Sequence, residues 1–228
     1  MTRLTNPQIL DAGLNDWRAL LHHLSARFLT VDFETGAELV AAIARAADEA
    51  GHHPDVTLTY PSVAVLLTTH DEGGVTDKDI EMARVISALA DERGVLADPA
   101  STQAVELALD TPDQAAIGEF WSVVLTGDPD NYVDDTVVDP LGRCPDLWFQ
   151  DSEPHETPHQ RFHLDITIPP EALEPRTEAA LAAGGRVAWE TPTFRVLEDA
   201  QGNRACLCWS EGRNQDSEPT HAAHALID

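Results

Sequence analysis

The pattern of apolar residues along this chain changes at the polar, proline-bearing stretch VLADPAST, residues 95–102. Before it, the predicted order is helix, helix, strand region and helix, and after it strands and helices follow a different rhythm. Such a stretch between two patterns is typical of a domain boundary, and 228 residues can form two modest domains. We therefore predict one domain over residues 1–97, a second over residues 98–212 and a C-terminal tail over residues 213–228.

Two helices of the first region have clear sequence signals. Residues 34–51, ETGAELVAAIARAADEAG, begin with an acidic side chain, carry apolar residues at helical spacing and close on Gly51. Residues 76–94, TDKDIEMARVISALADERG, begin with Thr76 and have Asp79 three positions on, which is close to a capping box. Both stretches are therefore predicted as helices.

The remainder of the first region is less regular. Residues 56–70, VTLTYPSVAVLLTTH, alternate as a strand does, and Pro61 marks a bend or an edge. Residues 7–28 carry apolar positions at helical intervals, which Gly13 and Asn15 interrupt. We predict one short helix there, followed by a second segment.

The second region repeats itself. Strand patterns at QAVELALDT, TVVDP and PDLWFQ, with a helix pattern over residues 112–127, are followed by the strand RFHLDITIP, a glycine-closed helix and a hairpin. One offset of sixty residues aligns three pairs: Asp139 with Asp199, Gly142 with Gly202 and Leu147 with Leu207. This recurrence predicts an internal duplication of a strand–helix–strands unit.

Charge limits the classes of partner. Fourteen basic and forty acidic residues give a formal net charge of −26, so nucleic acid and anionic membrane are not expected as partners. No uninterrupted apolar run approaches the length of a membrane span, and the first residues lack a secretory pattern. We expect a cytoplasmic protein in which Cys144, Cys206 and Cys208 are free thiols.

Histidines cluster around the predicted strand region. His52 and His53 follow the glycine-terminated helix and precede Pro54, while His70 closes the strand pattern and Asp79 lies nine residues further on. Histidine exchanges protons near neutral pH, and a cleft at a strand end is a common ligand site. The residues alone also allow a helix-end cap and solvated side chains. Proton transfer is therefore one of two open interpretations.

The stretch HHPDVTLTYPSVAVLLTTHDEGGVTDKDIEMA, residues 52–83, resembles the pterin-4a-carbinolamine dehydratases. The family signature matches without gaps at His52, His53, Pro54, Tyr60, Thr69, His70, Gly74, Thr76 and Asp79. The resemblance covers about residues 4–94. Upstream it is partial, because FLTVDF fits the family's phenylalanine-rich strand only in part and Asp16 stands where the family often has glycine.

This resemblance implies an α+β fold, with an antiparallel sheet and helices on one face. It also implies dehydration of a 4a-hydroxytetrahydropterin to the quinonoid dihydropterin, with no metal or bound cofactor. The acid–base set would be His52, His53 and His70, and Asp79 would hold or polarise one of them. The implied substrate-binding residues are Trp17, Asp48, Glu49, Pro54, Tyr60 and Thr69.

Some roles stay open at this point. Either Asp48 or Glu49 could supply an acidic position that the family has before its histidine pair. For Trp17 and Tyr60, packing is the favoured interpretation and stacking against a pterin is the alternative. The three histidines with Asp79 could in principle chelate zinc, but their spacing matches no metal motif.

The second region resembles the glyoxalase-like, vicinal-oxygen-chelate proteins, which implies paired βαβββ modules over about residues 103–209. The matching features are Phe120-Trp121, His163-Leu164-Asp165, Gly184-Gly185 and the DAQGN stretch. Glu106 and His163 coincide with two metal-ligand positions of metal-dependent members. The other two positions fall near Trp148 and Cys206, so we expect an unoccupied or degenerate metal site.

Three functions follow as hypotheses. The leading one is a pterin dehydratase with no cofactor, a pterin substrate and an accessory second domain, possible as a homodimer. The first alternative is a non-catalytic protein that binds a small ligand or regulates a partner. The second alternative is metal-dependent chemistry in the second domain, with Glu106 and His163 as the weak ligand candidates.

Overall fold

The computed structural model describes residues 2–118, 121–122, 126, 128–142, 144–153, 162–182, 185–198 and 204–209. Contacts within the chain divide it into two compact units. The first contains Met1–Gln103 and takes in Ile168–Leu173, and the second contains Ala104–Thr167 and Glu174–Cys208. The finer domain bounds expected from the sequence remain a prediction.

The first unit is an antiparallel sheet with helices. Its strands are β1 Arg18–Leu20, β2 His23–Leu29, β3 Asp55–Thr59, β4 Ser62–Leu67 and β5 Leu96–Ala97. Its helices are α1 Asn6–Asp11, α2 Phe33–Ala50 and α3 Asp77–Asp91. The strands lie in the order β1-β2-β4-β3, and β5 also pairs with β2.

One face of this sheet carries the core of the unit. The buried pairs between β2 and β4 are Leu24–Leu67, Ala26–Val65 and Phe28–Val63. Because side chains alternate between the two faces of a strand, all six lie on the same face. They pack with the apolar sides of α2 and α3, which supply Leu39, Ile43, Ala47, Ile80, Ala83 and Ile86. The predicted α+β fold, with helices on one face, is confirmed.

Local capping explains where α2 begins and ends and where α3 begins, whereas α3 ends at Asp91, before the Gly94 at which its pattern was expected to stop. The Asp32 carboxylate accepts the Thr35 backbone N–H at the start of α2. Gly51 closes that helix at φ 60°, a left-handed conformation that favours glycine. Thr76 and Asp79 form a complete capping box at the start of α3.

Two stretches of the first unit contain strands that the sequence pattern did not predict. The second segment expected within residues 7–28 is not helical, because His23–Leu29 forms strand β2. The stretch read as a boundary is partly structured as well, since Leu96–Ala97 forms β5 and pairs with the end of β2. In both places backbone pairing with a distant strand outweighs the local pattern.

The second unit is built around one large sheet. Its strands are β6 Ala104–Thr111, β7 Tyr132–Val133, β8 Thr136–Val137, β9 Asp146–Asp151, β10 Phe162–Ile168, β11 Arg186–Glu190, β12 Phe194–Glu198 and β13 Arg204–Trp209. Helix α4 spans Leu173–Ala182. Among the described residues the strand order is β11-β12-β13-β10-β6-β9-β8-β7.

This order consists of two four-stranded halves that meet at β10 and β6. Strand β10 opens the second half and β6 opens the first, and the two pair antiparallel. Leu147 and Leu207, which the sixty-residue offset aligns, are both buried, in β9 and β13. The paired modules expected from the duplication are therefore confirmed.

Other expectations for this region have mixed outcomes. The helix expected over residues 112–127 starts with the short 3₁₀ turn Gln114–Ala116, and much of the rest lies outside the described residues. The aligned residues Asp199 and Gly202 also lie outside them. Cys206 and Cys208 are free thiols buried beside Phe194. Across the described ranges, no helix is both long and apolar enough to cross a membrane.

Candidate active site

A histidine and an aspartate from different elements meet at one end of the first sheet. After Gly51 the chain leaves α2, and the backbone N–H of His52 still donates to Ala47 of that helix. The ring Nε2 of His52 lies 2.7 Å from Oδ1 of Asp79. The side chain of His52 is 11% exposed and that of Asp79 is 0% exposed. This pair is therefore largely shielded from water, which strengthens its electrostatic interaction.

The second oxygen of Asp79 is surrounded by donors. Its Oδ2 accepts the backbone N–H of Thr76 at 2.7 Å and the hydroxyl of Thr69 at 2.7 Å. The hydroxyl of Thr76 lies 3.2 Å from the same oxygen and 2.8 Å from the hydroxyl oxygen of Thr69. These contacts fix the orientation of the carboxylate, so that Oδ1 faces His52.

His53, the next residue, is in a different environment. Its Nε2 lies 3.2 Å from Oδ1 of Asp48, and the two side chains are 65% and 82% exposed. An ion pair as exposed as this contributes little to stability. Of the two acidic residues left open by the sequence, Asp48 is therefore the one that the structure brings to a histidine, while Glu49 is exposed at the end of α2.

His70 begins a short 3₁₀ turn, His70–Glu72, which Gly73 closes at φ 61°. The backbones of Thr69 and Gly74 bridge the two ends of this turn. His70 is exposed. The turn therefore presents His70 to solvent directly beside Thr69, whose hydroxyl contacts Asp79.

The hairpin of β3 and β4 explains which candidates come together. Asp55 at the start of β3 pairs with Leu66 near the end of β4, so the residues before β3 and those after β4 lie at the same end. His52, His53, Pro54, Thr69 and His70 all belong to those two segments. Tyr60 lies in the turn at the other end and is 71% exposed. Five strand residues place it about 16 Å away along the hairpin.

The aromatic candidates are thus not part of this cluster. Tyr60 is not packed in the core, so the favoured packing interpretation is wrong for this residue. Trp17 is 3% exposed, meets Phe28 edge to face, and its ring N–H donates to Ser87 on α3. Its ring is therefore committed to the core, which agrees with the packing interpretation.

Sequence reasoning missed the contribution of Thr76 and of the turn between β1 and β2. Thr76 was noted as a helix cap, but its hydroxyl also contacts that of Thr69. The hydroxyl of Thr68 donates to the carbonyl of His22, which places that turn beside the end of β4.

The turn also affects the protonation of the histidine that follows it. Burial, together with the neighbouring His22, lowers the pKa of His23 to about 4. The capping-box spacing was a usable signal for Thr76, but only strand register brings His22 here.

The second unit gathers acidic residues on one face of its sheet. Glu106 on β6 pairs with Asp165 on β10 and with Asp146 on β9. His163 pairs with Ala108 two residues before Asp165, and its side chain lies outside the described part of the structure. Glu106 and Asp165 are buried. Burial, with the nearby carboxylates of Glu106 and Asp139, raises the pKa of Asp146 to about 6.

The described side chains of this group, those of Glu106, Asp146 and Asp165, do not form a metal-ligand set. Trp148 and Cys206, near the two further ligand positions, are both buried and carry neither a carboxylate nor an imidazole. Within the ranges described by the structure, no three His, Cys, Asp or Glu side chains lie close enough to hold a metal ion. No reaction step through a metal is therefore assigned to this unit.

Comparisons with protein families divide the chain as its two units do. The model of the family described as pterin 4 alpha carbinolamine dehydratase matches residues 2–89. The model described as a glyoxalase-like domain matches residues 106–208. The second unit is thus similar to glyoxalase-like domains.

Individual relatives match the first unit. A protein of Thermosynechococcus vestitus, provisionally named pterin-4-alpha-carbinolamine dehydratase, is 43% identical over 79 residues, which are 35% of this chain and 83% of its own length. One of Metallosphaera sedula with the same provisional name is 40% identical over 91 residues, 39% of this chain and 95% of its own. A solved structure from Brucella melitensis, described as a transcriptional coactivator/pterin dehydratase, is 35% identical with a TM-score of 0.38 and covers 39% of this chain and 99% of its own.

Proposed function

Because this chain belongs to the pterin 4 alpha carbinolamine dehydratase family through its first unit, we propose that it dehydrates a 4a-hydroxytetrahydropterin to the quinonoid dihydropterin. The observation that carries this proposal is the contact of the partly buried His52 with the buried Asp79, with His53 and His70 at the same end of the β3–β4 hairpin. That arrangement supplies several imidazoles to one ligand.

The reaction requires two proton transfers. The hydroxyl group on C4a leaves as water, which needs an acid, and the proton on N5 departs to a base as the C4a=N5 bond forms. Imidazole serves in either role near neutral pH, and a positioned acid or base contributes roughly 10²- to 10⁴-fold to a rate. Because one group must act as the acid and another as the base, we expect two or more histidines around the C4a–N5 edge of the ligand.

The described geometry suits a division of labour. His52 is shielded and held by Asp79, whereas His53 and His70 are exposed and able to exchange protons with water. Asp48 contacts His53 and would orient it. Pro54 follows His53 and keeps it out of a helical conformation. We assign the substrate contacts to this end of the hairpin.

A direct assay tests the proposal. A 4a-hydroxytetrahydropterin loses water slowly by itself, so the measured quantity is the acceleration of quinonoid dihydropterin formation by the intact protein. We expect His52→Ala, His53→Ala and His70→Ala each to lower kcat/KM at least tenfold. Glu81→Ala, at an exposed position on α3, serves as the matched control and should retain full activity. An intact protein that leaves the spontaneous rate unchanged contradicts the proposal.

A second candidate function, binding of a small ligand by the second unit, is favoured by one observation. Oε1 of Gln150 and Oγ1 of Thr167 are buried, and neither has a hydrogen-bond partner in the described part of the chain. Both residues lie on the face that carries Glu106, and buried polar atoms are ordinarily paired. We expect a small polar molecule to raise the unfolding temperature of the intact protein, and Gln150→Met to weaken that response.

The homodimer expected from the sequence remains a prediction.

A further inference from the structure

The hydrogen bonds around Asp79 determine which nitrogen of His52 carries a proton. Oδ2 of Asp79 receives the backbone N–H of Thr76, a donor that cannot act as an acceptor. It also lies 2.7 Å from the hydroxyl oxygen of Thr69. The carboxylate is therefore held as an acceptor on this side, and its other oxygen, Oδ1, faces His52 at 2.7 Å.

The number of available protons determines which acceptor each of the two threonine hydroxyl groups donates to. Each threonine hydroxyl has one proton, and the short contacts are Thr69 to Asp79 at 2.7 Å and Thr69 to Thr76 at 2.8 Å. If Thr69 donated to Thr76, its oxygen would face Oδ2 with no proton between them. Thr69 therefore donates to Asp79, and the hydroxyl of Thr76 donates either to Thr69 or to the same carboxylate oxygen, 3.2 Å away. The backbone N–H of Lys78 donates in turn to the hydroxyl of Thr76.

These donors all direct their protons toward Asp79, and this determines which ring nitrogen of His52 is protonated. Since the carboxylate oxygen Oδ1 accepts, Nε2 of His52 must donate and carry the proton. The other ring nitrogen, Nδ1, has no hydrogen-bond partner in the part of the chain that the structure describes. A neutral His52 thus has its lone pair on Nδ1.

We propose that Asp79 keeps Nε2 of His52 protonated, that His52 exchanges protons with substrate through Nδ1, and that Thr69 is the positioning residue that holds Asp79 for this purpose. The substrate part of this inference rests on the proposed dehydratase function, whereas the position of the proton on the free protein does not. Thr69 also precedes His70, so one residue links the buried histidine to an exposed one.

The proton position is measurable without any substrate. Two-bond ¹H–¹⁵N correlation spectra of the full chain labelled with ¹⁵N-histidine distinguish the two neutral forms, at a pH high enough to keep the ring neutral. The His52 signals are assigned by their loss in His52→Gln. We expect the Nε2–H form in the unchanged protein. The Nδ1–H form there would overturn the proposal.

Asp79→Asn provides a sharper test, because it should invert the result. The amide oxygen must take the place of Oδ2 to accept the N–H of Thr76, which turns the amide NH₂ toward His52. Nε2 must then accept, and His52 becomes the Nδ1–H form. Asp77→Asn, in the same helical turn but exposed, is the matched control and should leave the Nε2–H form in place. If His52 keeps the Nε2–H form in Asp79→Asn, the proposal is also overturned.

Kinetics test the role of Thr69. Thr69→Val should lower kcat roughly 10- to 100-fold with KM little changed, because it removes a hydrogen bond to a charged group. Thr69→Ser should restore most of kcat, and Thr57→Val, at an exposed position on β3, should behave as the unchanged protein. Full kcat in Thr69→Val overturns the positioning role. A protein with no dehydratase activity at all contradicts the proposed function, and the spectra still decide the proton position.

Discussion

Nε2 of His52 and Oδ1 of Asp79 lie 2.7 Å apart, although 27 residues separate them in the chain. Two local features create this contact. Gly51 turns the chain out of α2 directly before His52, and the capping box of α3 fixes Asp79 at the first turn of that helix. The hairpin of β3 and β4 lies between these two points and brings them to the same end of the sheet.

Thr76 should matter for stability as well as for the site. Thr76 is fully buried and caps α3, so Thr76→Ala should lower the stability of the first unit by about 1–2 kcal/mol. Thr76→Ser keeps the hydroxyl and should stay within about 0.5 kcal/mol. Because a chain with two units lacks a single unfolding free energy, amide hydrogen exchange in peptides from α3 is the suitable measurement. Equal protection in the alanine and serine variants contradicts the assigned cap.

His53 and His70 should affect activity without affecting folding. Both side chains are exposed, so replacing either by alanine should change the stability of the first unit by less than about 0.5 kcal/mol. The expected loss of kcat/KM in the same variants would then reflect lost chemistry. Hydrogen exchange and the dehydration assay on the same preparations check this. A large loss of protection would instead assign the histidines a structural role.

His23 should make the first unit less stable in acid. Its pKa is lowered from 6.5 to about 4 by burial and by His22, so the unfolded chain binds a proton that the folded chain does not. The stabilisation is complete above pH 6.5 and is lost as the pH falls toward 4, by up to about 3 kcal/mol. His23→Gln should remove this dependence, and His53→Gln should keep it. Hydrogen exchange in peptides from β2 at matched pH values measures the difference.

Asp146 should have the opposite effect on the second unit. Its pKa is raised from 3.8 to about 6 by burial and by the carboxylates of Glu106 and Asp139. The protonated form is favoured in the folded state, so the contribution of Asp146 to stability is fully present below pH 3.8 and is lost as the pH rises through 6. Asp146→Asn should therefore stabilise this unit at pH 7 by up to about 3 kcal/mol. Asp151→Asn, exposed on the same strand, is the control, and equal pH profiles for the two variants would contradict the assignment.

Features encoded by neighbouring residues were predictable from the sequence. Helices α2 and α3 carry their own N-terminal caps and apolar spacing, so both limits of α2 and the start of α3 were predictable. The ungapped motif from His52 to Asp79 contained both members of the observed pair, but it also contained Tyr60, which lies at the other end of the hairpin. The internal offset of sixty residues predicted that the second sheet consists of two similar halves.

Strand β2 shows where local pattern fails. Its residues fit a helical spacing in the sequence, but Leu24, Ala26 and Phe28 are buried against β4 with the spacing of a strand. A short apolar segment satisfies either period, and the hydrogen bonds of a distant partner decide between them. The same dependence on a partner hid β5 within the expected boundary.

The sequence by itself determined the elements with local signals and the chemistry available to the chain: the capped helices, the histidine motif and the acidic charge. Only the tertiary structure decided which groups meet. It separated Tyr60 from the histidines, committed Trp17 to the core, tied Thr69 and Thr76 to Asp79, and placed Asp146 and Asp165 beside Glu106. Those outcomes follow from strand direction and register, which depend on pairing between residues far apart in the chain.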